Sequence, residues 1–138
     1  MKKAMITLLL ALPLACFGQS VTKTKMLKST DLGNQKLEAI MGNDTTYAIM
    51  IKTSNRYQPY FPVDLGKKDN ALRLLHYLYD LDIQKGDIVN LENSTNNRVT
   101  KNPLGGLRVV SETGVFSGQL RKPNIKGFIE AIEEFSND

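Results

Sequence analysis

Cysteine and histidine occur once each among the 138 residues, as Cys16 and His76, and tryptophan is missing. A single cysteine excludes a disulfide framework, and one cysteine with one histidine excludes the common zinc sites built from those residues. Charge of one sign is also scarce: 18 Lys and Arg stand against 14 Asp and Glu, a formal +4. That is too little for a nucleic-acid-binding domain, so no nucleic acid is expected as a partner. Long apolar runs are confined to one place, Ala4–Leu14, broken only by Thr7 and Pro13 and too short to anchor a chain across a bilayer.

That run follows Met1-Lys2-Lys3, and a positive start before a short apolar stretch predicts a secretory signal peptide over residues 1–18. Two processing routes fit. Cleavage after Gly18 places Cys16 and Gly18 at the −3 and −1 positions and releases a soluble chain beginning at Gln19. Alternatively, Leu14-Ala15-Cys16 resembles the end of a lipoprotein signal, with Cys16 as the lipidated residue and a membrane anchor; Pro13 stands where such signals usually carry Leu. The first route is the favoured expectation: a periplasmic or secreted protein with no transmembrane span after processing.

Removing the leader changes the arithmetic. Thirteen apolar residues leave with it, so 44 remain in the 120-residue body, and the charge falls to +2. A body of this size makes one domain, 19–138, stabilised by its core alone. Its charge is segmented: residues 94–126 carry Arg98, Lys101, Arg108, Arg121, Lys122 and Lys126 against Glu112, and residues 127–138 carry four acids. Alternating solvent faces explain this; a basic strip for an anionic partner is the sharper reading.

Helical spacing is clear twice. Over Lys67–Asp82, Ala71, Leu74, Leu75, Leu78 and Leu81 recur at intervals of three and four, with Gly66 as the expected N-cap; over Asn124–Phe135, Ile125, Phe128, Ile129, Ile132 and Phe135 share a face. Strand alternation appears in Gln35–Met41 and Thr45–Thr53 around a Gly42-Asn43-Asp44 turn, and in Leu107–Glu112 and Val115–Arg121 around Thr113-Gly114. Asp87–Asn93 adds a strand, and Val21–Ser29 adds another whose lysines suit a sheet edge. The expected fold is α+β: a mainly antiparallel sheet of five to six strands with two amphipathic helices on one face, in the order β-β-β-α-β-β-β-α. An offset of 54 residues superposes the two helical stripes, so a duplicated unit is an open alternative.

No catalytic constellation emerges. His76 lies at the border of the first helical stripe, the place of a half-buried structural histidine, and no serine lies in G-x-S-x-G. Asp80–Asp87 fails as a calcium loop, because the positions requiring glycine and a bidentate acid hold Lys85 and Leu91. Pro103-Leu104-Gly105-Gly106 lacks the glycine spacing and lysine of a phosphate loop. No metal, no cofactor and no catalytic residue is therefore assigned.

Two loops remain as recognition surfaces. Arg56-Tyr57-Gln58-Pro59-Tyr60-Phe61-Pro62 is dense in aromatics, able to stack on a ligand if exposed or to close the sheet if buried. Asn93–Gly106 is polar and long, and is either a binding loop or a hairpin with a short strand near Arg98–Thr100. The candidate ligand-binding residues are Arg56, Tyr57, Tyr60, Phe61, Arg98 and Lys101. The stretch from Val63 to Leu72, with Leu65-Gly66 closing a strand and Ala71-Leu72 opening a helix, resembles small uncharacterised exported bacterial proteins. The resemblance implies export and that junction, with no chemistry. The expected function is an exported, non-enzymatic binding or protein-interaction module for an envelope protein, peptide or glycan. The alternatives are a small periplasmic hydrolase or lyase using carboxylates or His76, and a structural cell-envelope subunit.

Overall fold

The computed structural model describes residues 22–135. The leader, its cleavage point and Cys16 lie outside them. Strands β1 (Lys23–Thr30), β2 (Gln35–Met41), β3 (Thr45–Lys52) and β4 (Tyr60–Lys67) lead into α1 (Lys68–Asp80). Strands β5 (Val89–Asn90), β6 (Arg98–Lys101), β7 (Leu107–Val110) and β8 (Ser117–Leu120) lead into α2 (Lys122–Glu134). Each set of four strands forms its own antiparallel sheet in sequential order. The fold is α+β with two helices, and the single sheet of five to six strands is corrected to two four-stranded sheets in the order ββββα-ββββα.

The strand missing from the expected element order is β4, of which only the end at Leu65-Gly66 was implied by the resemblance. Pro59 and Pro62 argue for a loop, yet Phe61, Val63 and Leu65 alternate inward. Pro62 is tolerated for a geometric reason. The Asp64 amide and carbonyl point away from β3, where Thr95 and Asn93 side chains bond them. Two residues earlier, Pro62 faces the same outer edge, so its missing N–H removes no ladder bond.

Residues Leu37, Ala39, Tyr47, Ile49, Ile51, Phe61, Val63 and Leu65 line one face of the first sheet and are all buried. Against that face α1 packs on β3 and β4, α2 packs on β1, and the helices pack on each other. The spacing of the apolar residues supplies the contact: Ala71, Leu74, Leu75 and Leu78 of α1 and Ile125, Phe128, Ile129 and Ile132 of α2 are buried. Val99, Leu107, Val109 and Leu120 of the second sheet join the same apolar cluster. Burial of this kind, at about 25 cal/mol per Å² of apolar surface, is what holds both halves in one core. β1 lies at a sheet edge, with Lys23, Lys25 and Lys28 along it.

The junction between β4 and α1 differs from expectation by one residue. The N-cap is Lys67, and Gly66 instead adopts a left-handed φ of 79° where the β3–β4 register shifts beside Tyr47. The opposite face of the first sheet carries the rows Thr24, Ile40 and Thr46; Met26, Glu38, Ala48 and Asp64; and Ser29, Lys36, Met50 and Pro62. Neither helix packs on it. No helix among the described residues is long and apolar enough to cross a membrane.

Candidate functional site

The β1–β2 turn and the β3–β4 loop meet at one end of the first sheet. Three contacts tie them: the Lys52 amide donates to the Asn34 carbonyl at 2.8 Å, the Tyr60 hydroxyl donates to the Gly33 carbonyl at 3.0 Å, and the Lys36 ammonium stands 4.6 Å from the Tyr60 ring centre. Within the loop, Asn55 Oδ1 accepts from the Tyr57 and Gln58 amides at 2.8 and 3.3 Å. The Thr53 amide donates to the Pro59 carbonyl at 2.7 Å, and the Thr53 hydroxyl donates to the Gln58 carbonyl. An asparagine bonding its own backbone two residues on is a turn-forming device encoded locally in the sequence.

That fixed loop presents an aromatic residue to solvent. Tyr57 is 83% exposed. The Arg56 guanidinium lies 4.9 Å from its ring centre and donates from Nη2 to its hydroxyl at 2.8 Å. In the neighbouring turn Leu32 is fully exposed and held at φ 60°, a left-handed conformation unfavourable for a branched residue. Lys36 and Arg56 each lie over a tyrosine ring at this end, and Lys52 is the last residue of β3 before the loop. Lys67 pairs with Asp44 at 3.3 Å, at the other end of β3.

The structure separates the six candidate residues. Arg56 and Tyr57 project outward, Tyr60 is half-buried as the strap to Gly33, and Phe61 is a core residue at 1% exposure. The segment is thus exposed at Arg56 and Tyr57 and buried at Phe61. Arg98 lies half-buried on β6 and, with Glu92, Glu112, Asn90 and Asn96, lines a groove of about 390 Å³. Lys101 lines a different cleft of about 420 Å³, with Arg121 and Lys122 as further cations, Asp82 as the acid and Ile83 and Leu107 as apolar walls. Arg98 and Lys101 do not join the aromatic loop.

The polar stretch 93–97 has a structural task. Asn97 is buried, its amide donating to the Val110 carbonyl at 3.2 Å and its Oδ1 accepting from Asn93 at 2.9 Å and Thr95 at 2.5 Å. Asn93 and Thr95 in turn bond the backbone of Asp64 at 2.9 and 3.0 Å. Side chains thereby satisfy the outer edge of β4 as a fifth strand would. His76 is exposed rather than half-buried, in a shallow groove with Tyr79, Lys126, Ile129 and Glu130. Burial pushes the Tyr47 phenol above the ordinary tyrosine range; its ring meets Phe135 edge-on at 6.4 Å.

Leu32 was absent from the sequence candidates. Its signal was an apolar residue inside Asp31-Leu32-Gly33-Asn34, a turn otherwise made of residues that favour turns. Comparison with protein-family models, characterised proteins and solved structures finds no match.

Proposed function

We propose that this chain is an exported, non-enzymatic binding module that docks through the end of the first sheet formed by the 31–34 turn and the 53–59 loop. One observation carries the reading: Tyr57 is largely exposed while its loop is fixed by local hydrogen bonds and its ring is paired with Arg56. A rigid exposed aromatic residue loses little freedom on docking, and Tyr and Arg are over-represented where binding energy concentrates. The open sheet face with Met26, Met50 and Pro62 continues from this end and enlarges the available surface.

The test is photo-crosslinking in the native envelope from a reactive group at position 57, with position 85, in the exposed loop after α1, as the control. Labelling from position 57 that is absent from position 85 supports docking. Equal labelling from both overturns it.

A hydrolase or lyase is the second reading, favoured by the groove that brings Glu92 and Glu112 together beside Arg98. Hydrolysis of an envelope substrate that disappears in both Glu92→Gln and Glu112→Gln, with the fold intact, would establish it over the first.

A further inference from the structure

We infer that the partner of this end is an anionic lipid surface, which Leu32 and Tyr57 enter while Lys36, Lys52 and Arg56 engage the headgroups. The inference rests on the docking reading above and names its ligand. Leu32 and Tyr57 stand on two adjacent turn tips and line neither the clefts described above nor the cleft of about 360 Å³ at this end, whose walls include Asn34, Lys52, Thr53 and Ser54. Two side chains this exposed suit a deformable surface better than a rigid protein pocket. Leucine supplies a side chain for the acyl boundary, and tyrosine is a residue of the membrane–water interface, with an apolar body and a polar end.

Charge decides which lipid. The three cations lie behind the two tips: Lys36 over the Tyr60 ring, Lys52 beside Asn34, and Arg56 against Tyr57. Over residues 31–36 and 52–60 these three cations stand against one acid, Asp31. Each cation near an anionic leaflet strengthens attachment about fivefold. The left-handed backbone at Leu32 points the same way. Asparagine or glycine would sit there without strain, so the turn holds an exposed apolar residue against local preference, as functional sites do. β1 separates this end from Lys23 by eight residues, about 26 Å of strand, so the start of the described chain does not obstruct it.

The test uses the chain beginning at Gln19, which carries neither the apolar leader nor Cys16, and co-sedimentation with vesicles of phosphatidylcholine alone or mixed with phosphatidylglycerol. Binding is expected to the mixed vesicles only and to fall as salt is raised. Leu32→Asn should weaken it about tenfold, from the lost apolar burial. Lys52→Gln and Arg56→Gln should each weaken it about fivefold. Leu32→Asn relieves strain, so misfolding does not explain its loss. Equal binding to both vesicle types, or Leu32→Asn binding like the parent, overturns the lipid assignment. Failure on vesicles together with one protein captured by crosslinking from position 57 overturns the lipid partner and leaves docking standing. Failure of both overturns both.

Discussion

Strands β1 to β4 run for seven or eight residues each, whereas β5 to β8 run for two to four, although both sets end in a helix of 13 residues. The first half satisfies its backbone mainly by ladder pairing. The second relies on side chains to complete what its short strands leave open: Asn97, Asn102 and Ser111 are buried polar residues there, against Gln35 alone in the first half. Repeated element order can therefore be held by different bonds. The helices start 54 residues apart, as the apolar stripes indicate, but the preceding strands do not keep that offset because their lengths differ.

The largest effect should come from emptying the shared core. Phe61→Ala removes a fully buried ring from β4 and should cost about 3–5 kcal/mol in urea unfolding. Because both sheets contribute to one apolar cluster, a single transition is expected; two separate transitions would break the picture of one core. Next is the contact between halves. A Cβ on Gly118 of β8 would overlap Ile51 Cγ2 on β3, well inside the van der Waals contact distance. Gly118→Ala should destabilise by about 1–3 kcal/mol in the same measurement. An unchanged midpoint would mean that the sheets do not press together there.

Asn97→Ala tests the side-chain scaffold of the second half and should cost about 1–3 kcal/mol, with faster hydrogen exchange at Asp64 and along β6. Exchange unchanged at Asp64 would separate the 93–97 network from the β4 edge. Leu32→Asn acts in the opposite sense: relief of the left-handed turn should stabilise the first half by about 1 kcal/mol, seen as a higher melting temperature. The smallest effect is pH dependence at Tyr47. Its folded phenol holds its proton to higher pH than the unfolded one, so this contribution is complete below the ordinary value of 10.0 and declines as pH rises above it. Tyr47→Phe should flatten that part of the alkaline stability profile; an identical slope would place the effect elsewhere.

Much of this architecture was readable from residue spacing. The helical stripes fix both helices, and the alternation around Gly42-Asn43-Asp44 fixes the β2–β3 hairpin, whose strands the structure pairs with Leu37 opposite Ile49. The edge position of β1 follows from its lysines. β4 was hidden because two prolines signal a loop, and only its place at an edge makes them compatible with a strand. The site was half legible. Arg56 and Tyr57 belong to a polar, turn-forming segment and are exposed, while Phe61 looks the same in composition but alternates with Val63 and Leu65 into the core. His76 lies one position outside the buried stripe, and its exposure depends on how far α2 reaches across α1.

The order of residues by itself determined where helices and hairpins form, because periodicity, turn chemistry and proline act within a few positions along the chain. It also determined which chemistries lack their residues. The tertiary structure alone decided that eight strands divide into two sheets, that the Asn93–Asn97 side chains close the edge of a strand some 30 residues away, and that Leu32 and Tyr57 share one end of the molecule. Those outcomes depend on which edges and turns meet after burial, and contacts between distant segments leave no period in the sequence.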